Sequence, residues 1–296
     1  MTRFVLSSKA MRPIITPIRS AYLALFLFTL TAPGLLVAAE KSSASILVKD
    51  ALTAQGQPAT IEAKLFSKRL MLIAELGGEP LELVADGKVV AKTLTGGDGR
   101  AFLTYTPKAQ GLALVQVRIG NSPRVDQAEG QANLAVWEKR QPILVIELSS
   151  LLEQSAPNRV PPIGIAFESA RKPMPGAADE LGKLTQFYYK VIYVVEGRDG
   201  FQRSAEAREW LKTHKFPAGY LLTLPVLDTN TVGETIDELH AAGWRTVKVG
   251  VGRSKSFAEA FLQRRLEAIM VPGPSKGEVP RKAKVAKDWK EVRKKL

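Results

Sequence analysis

The pattern of apolar and polar positions changes once along the chain, near residue 141. Before it, short runs of β-favouring residues recur at 45–48, 59–66, 81–85, 88–93, 100–105, 111–119 and 132–137. Leu103 and Tyr105 alternate with Thr104 and Thr106, the period-two pattern of a strand with one buried face. Asp86-Gly87 separates two of the runs, and Asp-Gly in a two-residue loop is a strong hairpin signal. Gly96-Gly-Asp-Gly99 supplies the next turn. Seven such runs in fewer than 100 residues predict an all-β sandwich.

After residue 141, apolar strands alternate with helical stretches, which predicts a parallel sheet. The run Pro142-Ile-Leu-Val-Ile-Glu147-Leu-Ser149 opens this half. Its unbroken apolar core suits a strand buried on both faces. Glu147 and Ser149 fall at its carboxyl end, where sheets of this kind bind their ligands. Helices are expected over 177–188, 205–213, 231–242 and 257–266, and strands at 190–195, 219–224, 245–251 and 267–271. Ser204 is expected to cap the second of these helices, and Gly243 to end the third. A last helix carries Trp289 and Val292. Together these elements predict an α/β doubly wound, Rossmann-like domain.

The amino terminus adds a compartment. Residues 1–20 hold Arg3, Lys9, Arg12 and Arg19 and no acid. An apolar stretch from Ala21 to Thr31 follows, then Pro33-Gly34 and Val37-Ala38-Ala39 before Glu40. That succession is the grammar of a secretory signal peptide over 1–39, cleaved after Ala39. An uncleaved anchor is the rival, since 21–39 is nearly long enough to span a bilayer. The Pro-Gly step and the Val-Ala-Ala ending favour cleavage, and with it a periplasmic or secreted location. The segments expected are the leader at 1–39, the sandwich at 40–140 and the α/β domain at 141–275. A basic segment at 276–296 follows, whose helix packs on the α/β domain.

Composition narrows the chemistry. The chain is 45% hydrophobic and 24% charged and has no cysteine, which removes disulfides, thiol catalysis and Cys-metal sites. Of the net charge of +13, the leader holds +4 and the stretch from Lys276 onward +6, leaving +3 for the body. No aromatic-interleaved basic patch accompanies it, so no specific nucleic-acid partner is expected. Membrane contact is expected only through the leader or the basic tail, and transiently.

Two resemblances attach to these patterns. The first rests on Gly78-Glu-Pro-Leu-Glu-Leu, Asp86-Gly87, Thr95-x-x-Asp98-Gly-Arg-Ala, Tyr105-x-Pro107 and Gly111. This spacing resembles the bacterial immunoglobulin-like repeats of surface and periplasmic proteins, which implies a spacer or adhesive module. The second covers residues 141–296. Val191-Ile-Tyr-Val-Val195, Arg208-x-Trp210-Leu211, Phe216-Pro217-x-Gly219 and Val249-Gly-Val-Gly252-Arg-Ser-Lys-Ser256-Phe257-Ala-Glu-Ala-Phe261 carry it, with the opening strand. These resemble the motifs of haloacid dehalogenase-like (HAD) phosphatases, within them the lipin-like, phosphatidate-phosphatase-type domains.

The family's opening strand ends in Asp-x-Asp-x-Thr, whose first Asp attacks phosphorus and whose second is the general acid/base. By this alignment those places hold Glu147, Ser149 and Leu151. The family's Ser/Thr after the second strand falls on Val195, and its metal-binding acid on Phe257. Its Lys has no counterpart in register; the expected region is 231–235, and Glu196 and Lys255 lie close to motif positions without matching them. The resemblance therefore implies a HAD-type domain with its phosphoryl-transfer groups replaced. A serine hydroxyl is too weak an acid to protonate a leaving group at neutral pH, and a displaced carboxylate loses rate steeply.

Gly250, Gly252, Arg253, Ser254, Lys255 and Ser256 form a glycine-bearing turn before a helix, a natural place for a phosphate or other anion. The alternative is that these glycines only make the turn. His214 and His240 lie at helix ends without ligand spacing, so no metal site is expected, and no cofactor. Trp210, Phe216, Phe257 and Phe261 are expected in the core. The function expected is binding or scaffolding of an unidentified protein or anionic ligand. The alternative is a secreted phosphatase using Glu147 with Mg²⁺.

Overall fold

The computed structural model describes residues 41–69, 72–153, 171–274 and 279–296, and the leader at 1–39 lies outside them. In the first half, alternation is read out as strand pairing. β1 (Ser45–Val48), β3 (Ala59–Arg69), β4 (Leu72–Glu75) and β7 (Arg100–Tyr105) make one antiparallel sheet, with β3 pairing the other three. β2 (Ala51–Thr53), β5 (Pro80–Ala85), β6 (Lys88–Leu94), β8 (Gly111–Ile119) and β9 (Glu129–Val136) make the second, in the order β2-β9-β8-β5-β6. Leu81, Leu83 and Ala85 alternate inward along β5, and meet Ile61, Ala63 and Leu65 of β3 in a core of aliphatic side chains. Asp86 and Gly87 both take positive φ, as a tight hairpin between right-twisted strands requires.

Two strands of this half were not legible. β2 and β4 have three and four residues, too few to show a period. β2 joins β9 in parallel, the one parallel pair in an otherwise antiparallel sheet.

In the second half the chain makes β10 (Ile143–Glu147), a 3₁₀ turn (Leu148–Leu151) and α1 (Ala177–Phe187). Next come β11 (Lys190–Glu196), α2 (Gly200–Thr213), β12 (Tyr220–Leu224), α3 (Thr229–Ala241) and β13 (Val247–Gly252). It closes with α4 (Lys255–Gln263), β14 (Glu267–Met270), β15 (Lys284–Val285) and α5 (Trp289–Lys295). All six strands run parallel in the order β12-β11-β10-β13-β14-β15. Every residue of β10 is buried. Leu144 and Ile146 enter a core closed by α1, α2 and α5, while Ile143 and Val145 enter a second one closed by α3 and α4. Two-face burial is what the unbroken apolar run demanded.

The helix starts needed one correction. Ser204 does not cap α2; the Asp199 side chain accepts from the amides of Phe201 and Gln202 and starts the helix at Gly200. Ser204 is buried inside α2, its hydroxyl 2.8 Å from that of Thr223 on β12. Glycine at the first helical position disguised the true start. The other caps are Asp228, Ser254 and Asp288, each accepting a backbone N–H of its first turn. The short edge strand β15 was also absent from the sequence reading.

The halves share a seam. On β9, Ala132, Leu134 and Val136 face the sandwich core, whereas Ala135, and Trp137 just beyond, join the core under α3 and α4. Asp50, between β1 and β2, accepts from Arg208 of α2 at 2.8 Å and from the Leu221 amide of β12 at 3.1 Å. Lys49 sits 4.5 Å from the ring centroid of Phe201. No helix among the described residues is long and apolar enough to cross a membrane.

Candidate functional site

The order of the parallel strands locates the place where a ligand is expected. From β10 the chain builds outward through β11 and β12, then returns to β10's other side with β13. The crevice at the carboxyl ends of β10 and β13 is the point of reversal, where open α/β sheets bind ligands. Glu147 ends one of these strands and Gly252 the other.

Glu147 is buried, 3% exposed, and its carboxylate turns across this crevice. Its Oε2 accepts from the Arg253 amide at 2.7 Å and the Ser254 amide at 2.9 Å. These are the free N–H groups ahead of α4, where the partial positive charge of a helix start favours an anion. Gly252 makes the approach possible. A Cβ there would stand 2.6 Å from Glu147 Oε2 and collide with the Phe257 ring. Phe257 is fully buried against Phe261, with ring centroids 5.1 Å apart.

Within residues 250–256, the amides of Arg253 and Ser254 are taken by the chain's own carboxylate. Ser254 Oγ caps α4 by accepting from the Phe257 amide, and Ser256 Oγ donates to Leu227 O. Lys255 reaches Glu259 along the helix surface at 3.7 Å. Gly250 leaves room for the Phe261 ring, which a Cβ would meet at 2.6 Å. Of the six residues, Arg253 and Ser254 direct their backbone amides to Glu147. The cause is electrostatic: a helix start attracts a nearby carboxylate, and Glu147 is tethered there.

Arg253 bonds Leu152 O through Nη2. Its Nε and the Ser149 hydroxyl are buried without a hydrogen-bond partner among the described residues. Burial lowers the Arg253 pKa, partly offset by the nearby Glu147 charge. Beside this group opens a cleft of about 410 Å³ lined by Glu147, Ser149, Val195, Glu196, Arg203 and Leu227. Arg203 Nε donates to Glu196 O at 2.8 Å, tying α2 to the end of β11.

A divalent cation fits this site poorly. Mg²⁺ takes several oxygen ligands in near-octahedral array. Here one oxygen of Glu147 is held by two amides, Val195 and Phe257 offer none, and no cluster of three metal-ligating side chains exists among the described residues. His240 Nε2 lies 2.8 Å from Val247 O, and His214 stacks beside Trp210, so neither faces a ligand set.

Sequence reasoning brought Glu147, Ser149, Gly252 and Phe257 to one place, and the fold assembles them there. It missed the direction in which Glu147 turns and the pairing of Asp50 with Arg208, of which only Arg208 had a place in a motif. Arg208 is 158 residues from Asp50, so only the fold brings the pair together.

No family model and no curated protein matches the chain. Among solved structures it is similar to D,D-heptose 1,7-bisphosphate phosphatase from B. bronchiseptica, complexed with magnesium and phosphate. The identity there is 13% and the TM-score 0.42, over 53% of this chain and 98% of that one. The corresponding enzyme from Burkholderia thailandensis gives 11% identity and a TM-score of 0.37, over 52% and 97%. The D0–D1 domain of intimin gives 15% identity and a TM-score of 0.22, over 30% and 46%. At these values no residue role is carried over from any of them.

Proposed function

We propose that this is an exported protein whose α/β half is a doubly wound domain of HAD type, without phosphoryl transfer, serving binding or scaffolding beside an immunoglobulin-like sandwich. One contact carries the reading. The carboxylate at the nucleophile position is held by two backbone amides and points across the crevice. Both amides hold Oε2, which fixes the carboxylate toward α4, and turning it toward a substrate would break hydrogen bonds worth about 1.5–3 kcal/mol each. Ser149 would then have to serve as the acid, which its hydroxyl cannot do at neutral pH.

An outside anion would have to displace Glu147 from the same amides, so binding is ascribed to surfaces away from the cradle. The seam supports a scaffolding role, since it fixes the outer faces of both halves in one arrangement. The periplasmic or secreted location rests on the leader at 1–39.

The test is phosphate release from para-nitrophenyl phosphate and from phosphatidate, with and without Mg²⁺, by wild type and Glu147→Gln. Release at the no-protein background in every case is the expected result. Mg²⁺-dependent release abolished by Glu147→Gln would establish the phosphatase instead. Mass spectrometry of the mature amino terminus should find it near Glu40; a chain beginning at Met1 would remove the export reading.

A further inference from the structure

A cavity larger than the cleft beside Glu147 lies across the seam. It encloses about 550 Å³ between β1, β8 and β9 of the sandwich and α2 with the loop before β12. That volume lies in the range of sites for small organic molecules, which favour junctions between domains. Its walls are mainly apolar, with Leu47 and Leu114 from the sandwich and Ala205 and Phe216 from the other half. The polar Glu129 and Asn133 that join them bond Gln116 and Asp50.

The floor is charged but closed. Arg208 donates to Asp50 through Nε and Nη2, to Gln131 O through Nη1 and to Val48 O through Nη2. Asp50 Oδ2 in turn accepts from the Leu221 amide. Two opposite charges that answer each other leave no net charge for a ligand to match, so the interior suits an uncharged hydrocarbon body.

The rim differs from the floor. Glu209 and Lys212 stand one turn apart on α2, exposed, and Gln131 lies on the facing strand. Their side chains make no hydrogen bond or ion pair among the described residues. A carboxylate, an ammonium and an amide, all unengaged at the mouth of an apolar cavity, complement a polar end carrying both signs of charge.

We propose that this cavity binds a single-chain amphiphile, its hydrocarbon in the cleft and a zwitterionic end between Glu209 and Lys212. The proposal is independent of the reading of Glu147. N-Dodecyl-N,N-dimethylglycine, below its micelle-forming concentration, is the probe for calorimetric titration of the full chain, and neutral N-phenyl-1-naphthylamine reports on the apolar part. Saturable one-site binding of both is expected. Leu114 is 59% exposed, so Leu114→Arg should keep the wild-type urea midpoint while placing a charge in the wall. It should weaken both probes at least about tenfold. The double variant Glu209→Ala/Lys212→Ala should weaken the zwitterion by about two- to tenfold and leave the naphthylamine unchanged. No saturable binding, or binding indifferent to Leu114→Arg, overturns the site. An unchanged zwitterion affinity in the double variant overturns the assignment of its polar end.

Discussion

Glu147 at the end of the central strand and Asp50 at the seam are both buried carboxylates. Each receives two backbone amides, Arg253 and Ser254 for one, Asn133 and Leu221 for the other. They differ in what else they meet. The hydrogen bonds to Glu147 are all from backbone, supplied by consecutive residues at the start of one helix. Asp50 is also held by the Arg208 guanidinium, and its amides come from two strands in different halves. A carboxylate cradled by a single turn is a local device, while one held by three residues far apart in sequence fixes the register between distant pieces of chain. Burial pushes the Asp50 pKa up, although Arg208 and the two amides pull it down. Desolvation thus opposes the attraction within the pair, which is expected to specify the seam more than to stabilise it.

The hardest test of that contrast is to break the seam pair. Asp50→Ala leaves the half-buried Arg208 guanidinium without its counter-charge, and should cost up to about 3 kcal/mol by urea denaturation. Replacing both partners, as Asp50→Leu with Arg208→Met, should recover most of that loss. If the double variant stays as unstable as the single, the pair is stabilising in its own right.

Glu147→Gln keeps the size but not the charge, and should cost about 1.5–3 kcal/mol in the same measurement. A cost equal to that of Asp50→Ala would erase the distinction between local cradle and seam. Gly252→Ala forces a Cβ against Glu147 Oε2 and the Phe257 ring. It should cost about 1–3 kcal/mol, with the loss shrinking when Glu147→Ala is added.

The smallest effect is in pH dependence. With its folded pKa raised, Asp50 keeps its proton in the folded protein where the unfolded chain has already released it. Its contribution to stability is present on the acid side and declines as pH rises. The margin of wild type over Asp50→Asn should narrow as pH climbs from about 4, the ordinary aspartate value. A margin that widens over that range would show that the charged pair is the preferred state.

How much of this was legible follows from the same contrast. The strand Ile143–Glu147 could be read because two-face burial writes itself as an unbroken apolar run. The meeting of Glu147 with Gly252 followed from motif spacing, since parallel strands bring their carboxyl ends together. The turn of the Glu147 carboxylate toward the amides could not be read, because it depends on a side-chain torsion and on unoccupied N–H groups. Ser204 and Asp199 are both capping residues, and only tertiary packing decides between them. Ser204 is drawn into the interior by Thr223, leaving Asp199 at the free amides. Asp50 and Arg208 could not be paired from the sequence, because nothing near either one hints at the other.

β9 places alternate residues in two different cores, Leu134 and Val136 in one, Ala135 and then Trp137 in the other. A lineage carrying this strand cannot trade its sandwich for a stranger's by simple recombination. Any donor module would need a small residue and an indole on the outer side of its last strand, at this spacing. The two halves are thus heritable only as a couple, and a gene fragment holding one of them carries an open socket shaped for the other.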